Sequence, residues 1–171
     1  MKIKETELNI VHGKLSSVKA DAYVLPFLPY HEYPTGVRLE VASAGALGVR
    51  DFIDHRLRER KLRYGDVFFV DARGGNANTL IALICRHPQQ DGDEIASAIK
   101  KGFLGIFLKA SKHGVKRIAV PTLCCGEGID EIVFTKILTA ALDTDIEHGI
   151  EEVSIVSEDQ GVVTKLYHII E

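Results

Sequence analysis

The fold is best predicted from residues 116–130, which read Lys116-Arg117-Ile118-Ala119-Val120-Pro121-Thr122-Leu123-Cys124-Cys125-Gly126-Glu127-Gly128-Ile129-Asp130. The apolar run up to Pro121 predicts a buried strand, and the glycines before Asp130 predict a loop that leads into a helix. In open α/β sheets, ligands bind where such loops leave the carboxyl ends of strands. Backbone N–H groups of the loop and of the helix N-terminus attract an anion. The junction is therefore a candidate phosphate site, although an ordinary strand-to-helix connection explains the pattern equally well.

The same pattern occurs twice in the second half of the chain. Residues 112–120 and 147–155 each combine a helix end, a glycine cap, a short turn and a buried strand. Two such units in succession predict parallel strands joined by crossover helices. A long helix is predicted from about Asp93 to His113, with Gly114 as its left-handed cap and a closing helix at Gly161 to Ile170. The long helix has an apolar face at helical spacing, formed by Ile95, Ile99, Phe103, Ile106, Phe107 and Ala110.

The first half of the chain predicts strands, a loop and helices in turn. Alternation over Thr6 to His12 predicts a partly exposed strand at a sheet edge. The apolar run Asp21 to Leu25 predicts a buried strand that stops at Pro26. The later segments are an irregular loop from Pro26 to Thr35, helices at Val37 to Leu47 and Asp51 to Leu62, and an antiparallel hairpin of Asp66 to Asp71 with Thr79 to Cys85. Together they predict an α/β domain with a mixed, partly parallel sheet.

Length and composition narrow the class of protein. The chain has 171 residues, 46% of them hydrophobic and 26% charged, which predicts a single globular domain over residues 1–171. The net charge of -3 argues against binding to nucleic acid or an anionic membrane. Three cysteines, two of them adjacent, and a start unlike a signal peptide predict a reduced, cytoplasmic protein. The seven histidines are scattered, so neither a metal nor a cofactor is expected.

From about Leu8 to Ile170 the sequence resembles the macrodomains, a family that binds ADP-ribose and related nucleotides. The resemblance implies a three-layer α/β/α sandwich. It lies in the order and spacing of these segments: 10–15 and 20–24 as opening strand, loop and second strand, 36–41 as first ligand loop, 65–67 as start of the central hairpin, 116–121 with Gly126 as phosphate-binding loop, and 153–156 as last strand.

The sequence departs from the family pattern at ligand-contacting positions. Lys14 stands where the family has an Asp that reads the adenine amino group, and a lysine offers no acceptor. Leu25 to Leu28 replaces an Asn-rich segment, and the glycine run of the first loop is reduced to Gly36. Arg38 stands where many hydrolytic members carry an acid, and Glu127 brings a carboxylate towards the expected diphosphate.

The leading hypothesis is a binding protein for a phosphate-bearing small molecule, such as ADP-ribose or a related nucleotide. Its site is a groove between Tyr30–Val37 and Cys124–Ile129, with phosphate on backbone N–H groups and positive charge from Arg38 or Lys14. Aromatic residues Phe27, Tyr30 and Tyr33 either pack on the core, where they fill or reshape this groove, or stack on a flat ligand. The candidate ligand-binding residues are Lys14, Leu15, Gly36, Val37, Arg38, Cys124, Cys125, Gly126, Glu127, Gly128 and Ile129.

Two further hypotheses stay open. One is an interaction or scaffold domain that has lost nucleotide binding and contacts a protein partner. The other is a hydrolase in which Cys124 or Cys125 is the nucleophile, assisted by His87 and Asp130. Whether the chain is an enzyme is not decided by the sequence, and any activity would be hydrolysis of ADP-ribose derivatives.

Two other groups of polar residues have simpler explanations. The basic run from His55 to Arg63 includes Glu59 and favours a solvated helix face over a phosphate-binding or acid-binding patch. His113 and His148 each precede a glycine, and we expect both to lie at helix C-termini.

Overall fold

A computed structural model of the chain describes residues 1–27, 62–71, 76–85, 91–123 and 129–171. Within these ranges the strands are β1 (Lys2–Ile3), β2 (Thr6–His12), β3 (Ala22–Phe27), β4 (Val67–Asp71), β5 (Thr79–Ile84), β6 (Arg117–Pro121) and β7 (Glu152–Ser157). The helices are α1 (Gly92–Ala110), α2 (Glu131–Leu142) and α3 (Gln160–Ile170), with short 3-10 turns at Leu15–Ser17 and Ser111–His113.

The strands form one mixed sheet in the order β1-β2-β7-β6-β3-β5-β4. The five middle strands, β2, β7, β6, β3 and β5 in spatial order, run parallel to one another. The pairs β1·β2 and β4·β5 are antiparallel, so the predicted hairpin is confirmed. The α/β class with a partly parallel sheet is likewise confirmed.

Helices α1, α2 and α3 pack against one face of the sheet. Their apolar stripes join alternate strand residues in a core that includes Phe103, Phe107 and Phe134. Helix α1 lies very close to β5, because a Cβ atom built on Gly102 would be 1.9 Å from Cδ1 of Leu83. On the opposite face Tyr23, Leu25, Phe27, Leu80 and Ile84 form a second apolar cluster. The helices predicted at Val37 to Leu47 and Asp51 to Leu62 lie outside the described residues, apart from Leu62.

The predicted boundaries of α1 and α3 agree with the structure. Helix α1 begins with a capping box, in which the Asp91 carboxylate accepts from the Glu94 N–H and the Glu94 carboxylate accepts from the Asp91 N–H. It continues into the turn Ser111–His113, where Gly114 has a φ of 65° and ends the helical segment as expected. No helix of the described ranges is long and apolar enough to cross a membrane.

Three sequence predictions were wrong. β2 is not an edge strand at its start, because Ile3 and Lys2 pair with Thr6 and Glu7 on its outer side. β3 does not stop at Pro26 but pairs with β5 as far as Phe27. His148 is not at a helix C-terminus, because α2 ends at Leu142; it is a buried residue of the following turn.

The surroundings of His148 explain its burial. Its Nδ1 atom accepts a hydrogen bond of 3.1 Å from the Ile150 N–H, and its ring lies 5.2 Å from that of Phe107. Burial lowers the pKa of His148, the backbone hydrogen bond with Leu142 opposes this, and the nearby Lys4 charge lowers it further. The imidazole is therefore a neutral link between the turn and the core.

Candidate functional site

The sheet opens between β3 and β6 at its carboxyl edge. These strands pair only through Ala22 with Ile118 and Tyr23 with Ala119. Beyond that point β3 continues beside β5 to Phe27, and β6 continues beside β7 to Pro121. The connections also diverge here, since β5 and β4 lie on one side and β7 and β2 on the other. This is the topological switch point at which open α/β sheets bind ligands.

Two prolines account for the opening. Successive N–H groups of a strand point alternately to its two neighbours. If the β3–β6 register continued, its next two donors would be the nitrogens of Pro121 and Pro26, and proline has no N–H. Pro26 does not interrupt the pairing of β3 with β5, because its nitrogen faces away from β5.

The other end of the same strand pair is held closed by Asp21. Its carboxylate accepts from the N–H groups of Lys116 and Arg117 at 3.0 and 2.8 Å, and from Nη2 of Arg117 at 3.1 Å. Partial burial would raise the pKa of Asp21, but these hydrogen bonds and the Arg117 charge lower it overall. The pairing of β3 with β6 is therefore fixed at this end and stops towards the carboxyl edge.

The described ends of the crevice are apolar. Phe27 at the end of β3 is 8% exposed, and Leu123 after β6 is 1% exposed. Phe27 thus packs in the core, as one of the two interpretations of the aromatic segment expects. The remaining candidates Tyr30, Tyr33, Gly36, Val37, Arg38, His87, Cys124, Cys125, Gly126, Glu127 and Gly128 lie outside the described residues.

Lys14 and Leu15 lie at the same edge of the sheet, after β2. The Gly13 N–H donates to the Ser157 carbonyl at 2.9 Å, which ties this turn to the end of β7. Lys14 is exposed, and its ammonium makes no ion pair with any described residue. Leu15 is 2% exposed, so its side chain belongs to the core. Of these two candidate residues, Lys14 is therefore the one whose side chain is accessible to a ligand.

The N-terminus of α2 is occupied by the protein's own carboxylate. Oδ1 of Asp130 accepts from the Val133 N–H at 2.8 Å, and Glu131 follows directly. Ile129 is 8% exposed. A phosphate near this helix would meet negative charge, so we expect its donors to come from the loop that ends at Ile129. The same hydrogen bond gives Asp130 a capping role, separate from the assistance to a cysteine that the hydrolase hypothesis requires.

Sequence reasoning missed a contact at the end of β7. Nε2 of His12 donates to the Glu158 carbonyl at 3.0 Å, and the Asp159 carboxylate caps α3 by accepting from Gly161 and Val162. The only sequence signal was that His12 ends one predicted strand and Glu158 comes shortly after another. Within the described ranges, no three His, Cys, Asp or Glu side chains are grouped as a metal site would need.

We compared the sequence and the structure with those of known proteins. No protein-family model and no curated protein matches the chain. The Oceanobacillus iheyensis macrodomain with ADP matches with a TM-score of 0.80 and 13% identity, over 99% of this chain and 93% of that chain. A variant of that macrodomain with ADPR matches with a TM-score of 0.80 and 13% identity, over 99% and 95%.

A second group of similar structures comes from the DarG proteins. The macrodomain of Thermus aquaticus DarG has a TM-score of 0.73 and 18% identity, over 89% of this chain and 99% of that chain. The protein described here therefore has the macrodomain fold. The resemblance seen in the sequence is confirmed at the level of the fold.

Proposed function

We propose that this chain binds ADP-ribose or a related phosphate-bearing nucleotide in the crevice between β3 and β6. The observation that carries the proposal is the opening of the sheet at its topological switch point, in a fold shared with macrodomain structures that contain ADP and ADPR. The first and second ligand loops follow directly from the two strands that part there, at Phe27 and Pro121.

The second loop, Arg38 and Lys14 each have a role in this proposal. Backbone N–H groups of Gly126 to Ile129 hold the phosphates, and Arg38 supplies positive charge from the first loop. Lys14 lies at the end of β2, three strands from β3, which is roughly 14 Å at the usual spacing between strands. An elongated ligand that starts in the crevice reaches Lys14 with its far end. A phosphate or carbonyl oxygen suits this ammonium, whereas an amino group does not.

The proposal is tested by titrating the protein with ADP-ribose, ADP, AMP and inorganic phosphate in a thermal-shift assay. A ligand at about 100 times its dissociation constant stabilises the native state by about 2.7 kcal/mol, which gives a shift of several degrees for a domain of this size. We expect a saturable shift with ADP-ribose and little with phosphate alone. If none of the four compounds changes the melting temperature, nucleotide binding is refuted and the interaction-domain hypothesis takes its place.

Two variants locate the site by titration calorimetry. We expect Glu127→Gln to tighten ADP-ribose binding, because it removes a negative charge beside the phosphates, and Gly126→Glu to abolish it. Glu147→Gln is the matched control, since Glu147 is exposed in the turn after α2 and forms no ion pair with a described residue. Equal affinities for all three variants would exclude the second loop from the site.

A further inference from the structure

A second groove, distinct from the crevice, lies at the lateral edge of the sheet between β4 and the outer face of α1. It has a volume of about 690 Å³. Its strand side includes Val67 and Phe68, and its helix side runs from Ser97 to Lys109. That stretch of helix is about 18 Å long at 1.5 Å per residue. An extended peptide of five or six residues spans the same length.

The helix side of the groove combines apolar and cationic residues. Leu108 is 59% exposed, and Leu104, one turn before it, is partly buried. Lys100 and Lys109 lie beside these leucines, are exposed, and make no ion pair within the described ranges. Lys101 is already engaged, with its Nζ 3.5 Å from the Asp66 carboxylate. The groove is therefore positive in a chain whose net charge is -3.

The strand side offers backbone groups. β4 is the last strand of the sheet and pairs only with β5, so among the described residues its outer side has no strand partner. Such an edge presents N–H and C=O groups that can pair with an added strand. Gly65 and Gly105 also line the groove, and the aliphatic stem of Lys101 and the side chain of Val67 pack against them.

We propose that this groove binds an extended acidic segment of a partner protein, which adds a strand to β4. Main-chain hydrogen bonds to the edge would hold the segment. Its apolar side chains would cover Leu104 and Leu108, and its carboxylates would pair with Lys100 and Lys109. The charge of the groove and its apolar floor both favour this occupant.

The same features disfavour two other occupants. If two copies of this chain paired through β4 about a twofold axis, the lysines of both copies would be brought together and would repel one another. A phosphate polymer would satisfy the lysines but would leave Leu108 exposed. An acidic peptide with apolar residues on one face satisfies both groups.

The probe is the labelled peptide Glu-Thr-Leu-Thr-Leu-Thr-Glu, whose alternate residues place leucine and glutamate on one face of a strand. Binding to the full chain is measured by fluorescence anisotropy. We expect about tenfold weaker binding for Leu108→Glu and for Lys109→Glu, and weaker binding to the unchanged protein at high salt. Lys136→Glu is the control, because Lys136 is an exposed lysine of α2 away from the groove.

Two further peptides separate strand addition from simple charge attraction. A version with lysine in place of both glutamates, and a version with alternate backbone nitrogens methylated, should each lose binding. Hydrogen exchange of the β4 amides should slow when the original peptide binds.

Binding that survives methylation or does not depend on Leu108 overturns the proposal. Equal loss of binding with Lys136→Glu, or no binding at all, also overturns it. Polyphosphate that displaces the peptide without any effect of Leu108→Glu would identify a phosphate site instead, and concentration-dependent dimers abolished by Leu108→Glu would identify a second copy.

Discussion

Replacing Gly102 with alanine tests the packing of α1 on the sheet. The added Cβ would lie 1.9 Å from Cδ1 of Leu83 and 3.1 Å from its Cδ2 and Cγ atoms. Carbon atoms pack at about 3.5–4.0 Å. Leu83 is fully buried, so it cannot swing into solvent to relieve the clash. Overpacking of this kind costs about 1–3 kcal/mol, while alanine improves helix propensity by about 1 kcal/mol. We therefore expect Gly102→Ala to lower the free energy of unfolding by up to about 2 kcal/mol.

The control is Gly105→Ala, one turn along the same helix. Its Cβ would meet only Cγ2 of Val67, at 3.2 Å, so the gain in helix propensity should cancel or exceed the strain. Urea denaturation followed by circular dichroism gives both free energies, with unchanged slopes confirming that the unfolded states are alike. If Gly102→Ala is as stable as Gly105→Ala, α1 does not approach Leu83 as described. A double-mutant cycle with Leu83→Ala should show coupling of about 1 kcal/mol, since the shortened side chain makes room for the new methyl group.

Two predictions concern titratable groups. Because the folded-state pKa of His148 is lowered below its ordinary value of about 6.5, the unfolded state takes up a proton more readily, so the free energy of unfolding should fall as the pH drops below about 6.5. Urea midpoints measured between pH 7 and pH 5 should show a shallower fall for His148→Asn, and identical slopes would contradict the assignment. The folded-state pKa of Asp21 is lowered too, so its contribution is present above its ordinary value of about 3.8 and is lost as the pH falls through the folded-state value. Asp21→Asn should therefore destabilise the protein by about 1 kcal/mol at pH 7, and this deficit should shrink as the pH falls below about 3.8; a deficit that stays constant down to the acid unfolding of the protein would show that the carboxylate charge is not involved.

Local sequence patterns predicted the elements whose stabilising contacts are local. The apolar spacing and capping box of α1 are both contained within about twenty residues, and its boundaries were predicted correctly. The pairs His113-Gly114 and His148-Gly149 look alike, and both glycines have positive φ. Only the first pair ends a helical segment, because the second belongs to a turn that is fixed by contacts with Ile150 and Phe107. A dipeptide pattern cannot carry that distinction.

The features that the sequence did not predict depend on contacts between residues far apart in the chain. The two-residue strand β1 exists only because Glu7 and Thr6 pair with it. In the sequence, Gly102 looks like a residue that weakens a helix. Its contribution is that it lets α1 pack closely against Leu83, which is far away along the chain. For the candidate site, the prediction that a buried strand ends at Pro121 is correct, and Lys14 follows β2 at the same edge of the sheet because β2 and β6 both run parallel to β7. It did not predict the opening between β3 and β6.

The loss of pairing between β3 and β6 follows from the missing N–H group of proline. From the sequence alone, the same property of proline predicts a different result, the end of β3. Pro26 was expected to end its strand, but a missing N–H affects only the neighbour that the nitrogen faces. Here the ladder with β5 continues past Pro26, and the ladder with β6 stops. Pro121 removes the preceding donor of the same ladder, and Asp21 ties the strands together at the opposite end. Backbone pairing normally closes the interior of a sheet, and each bond given up costs about 0.5–1.5 kcal/mol. Departures from such rules concentrate at functional sites, so the two prolines at the switch point support the proposal that a ligand binds there.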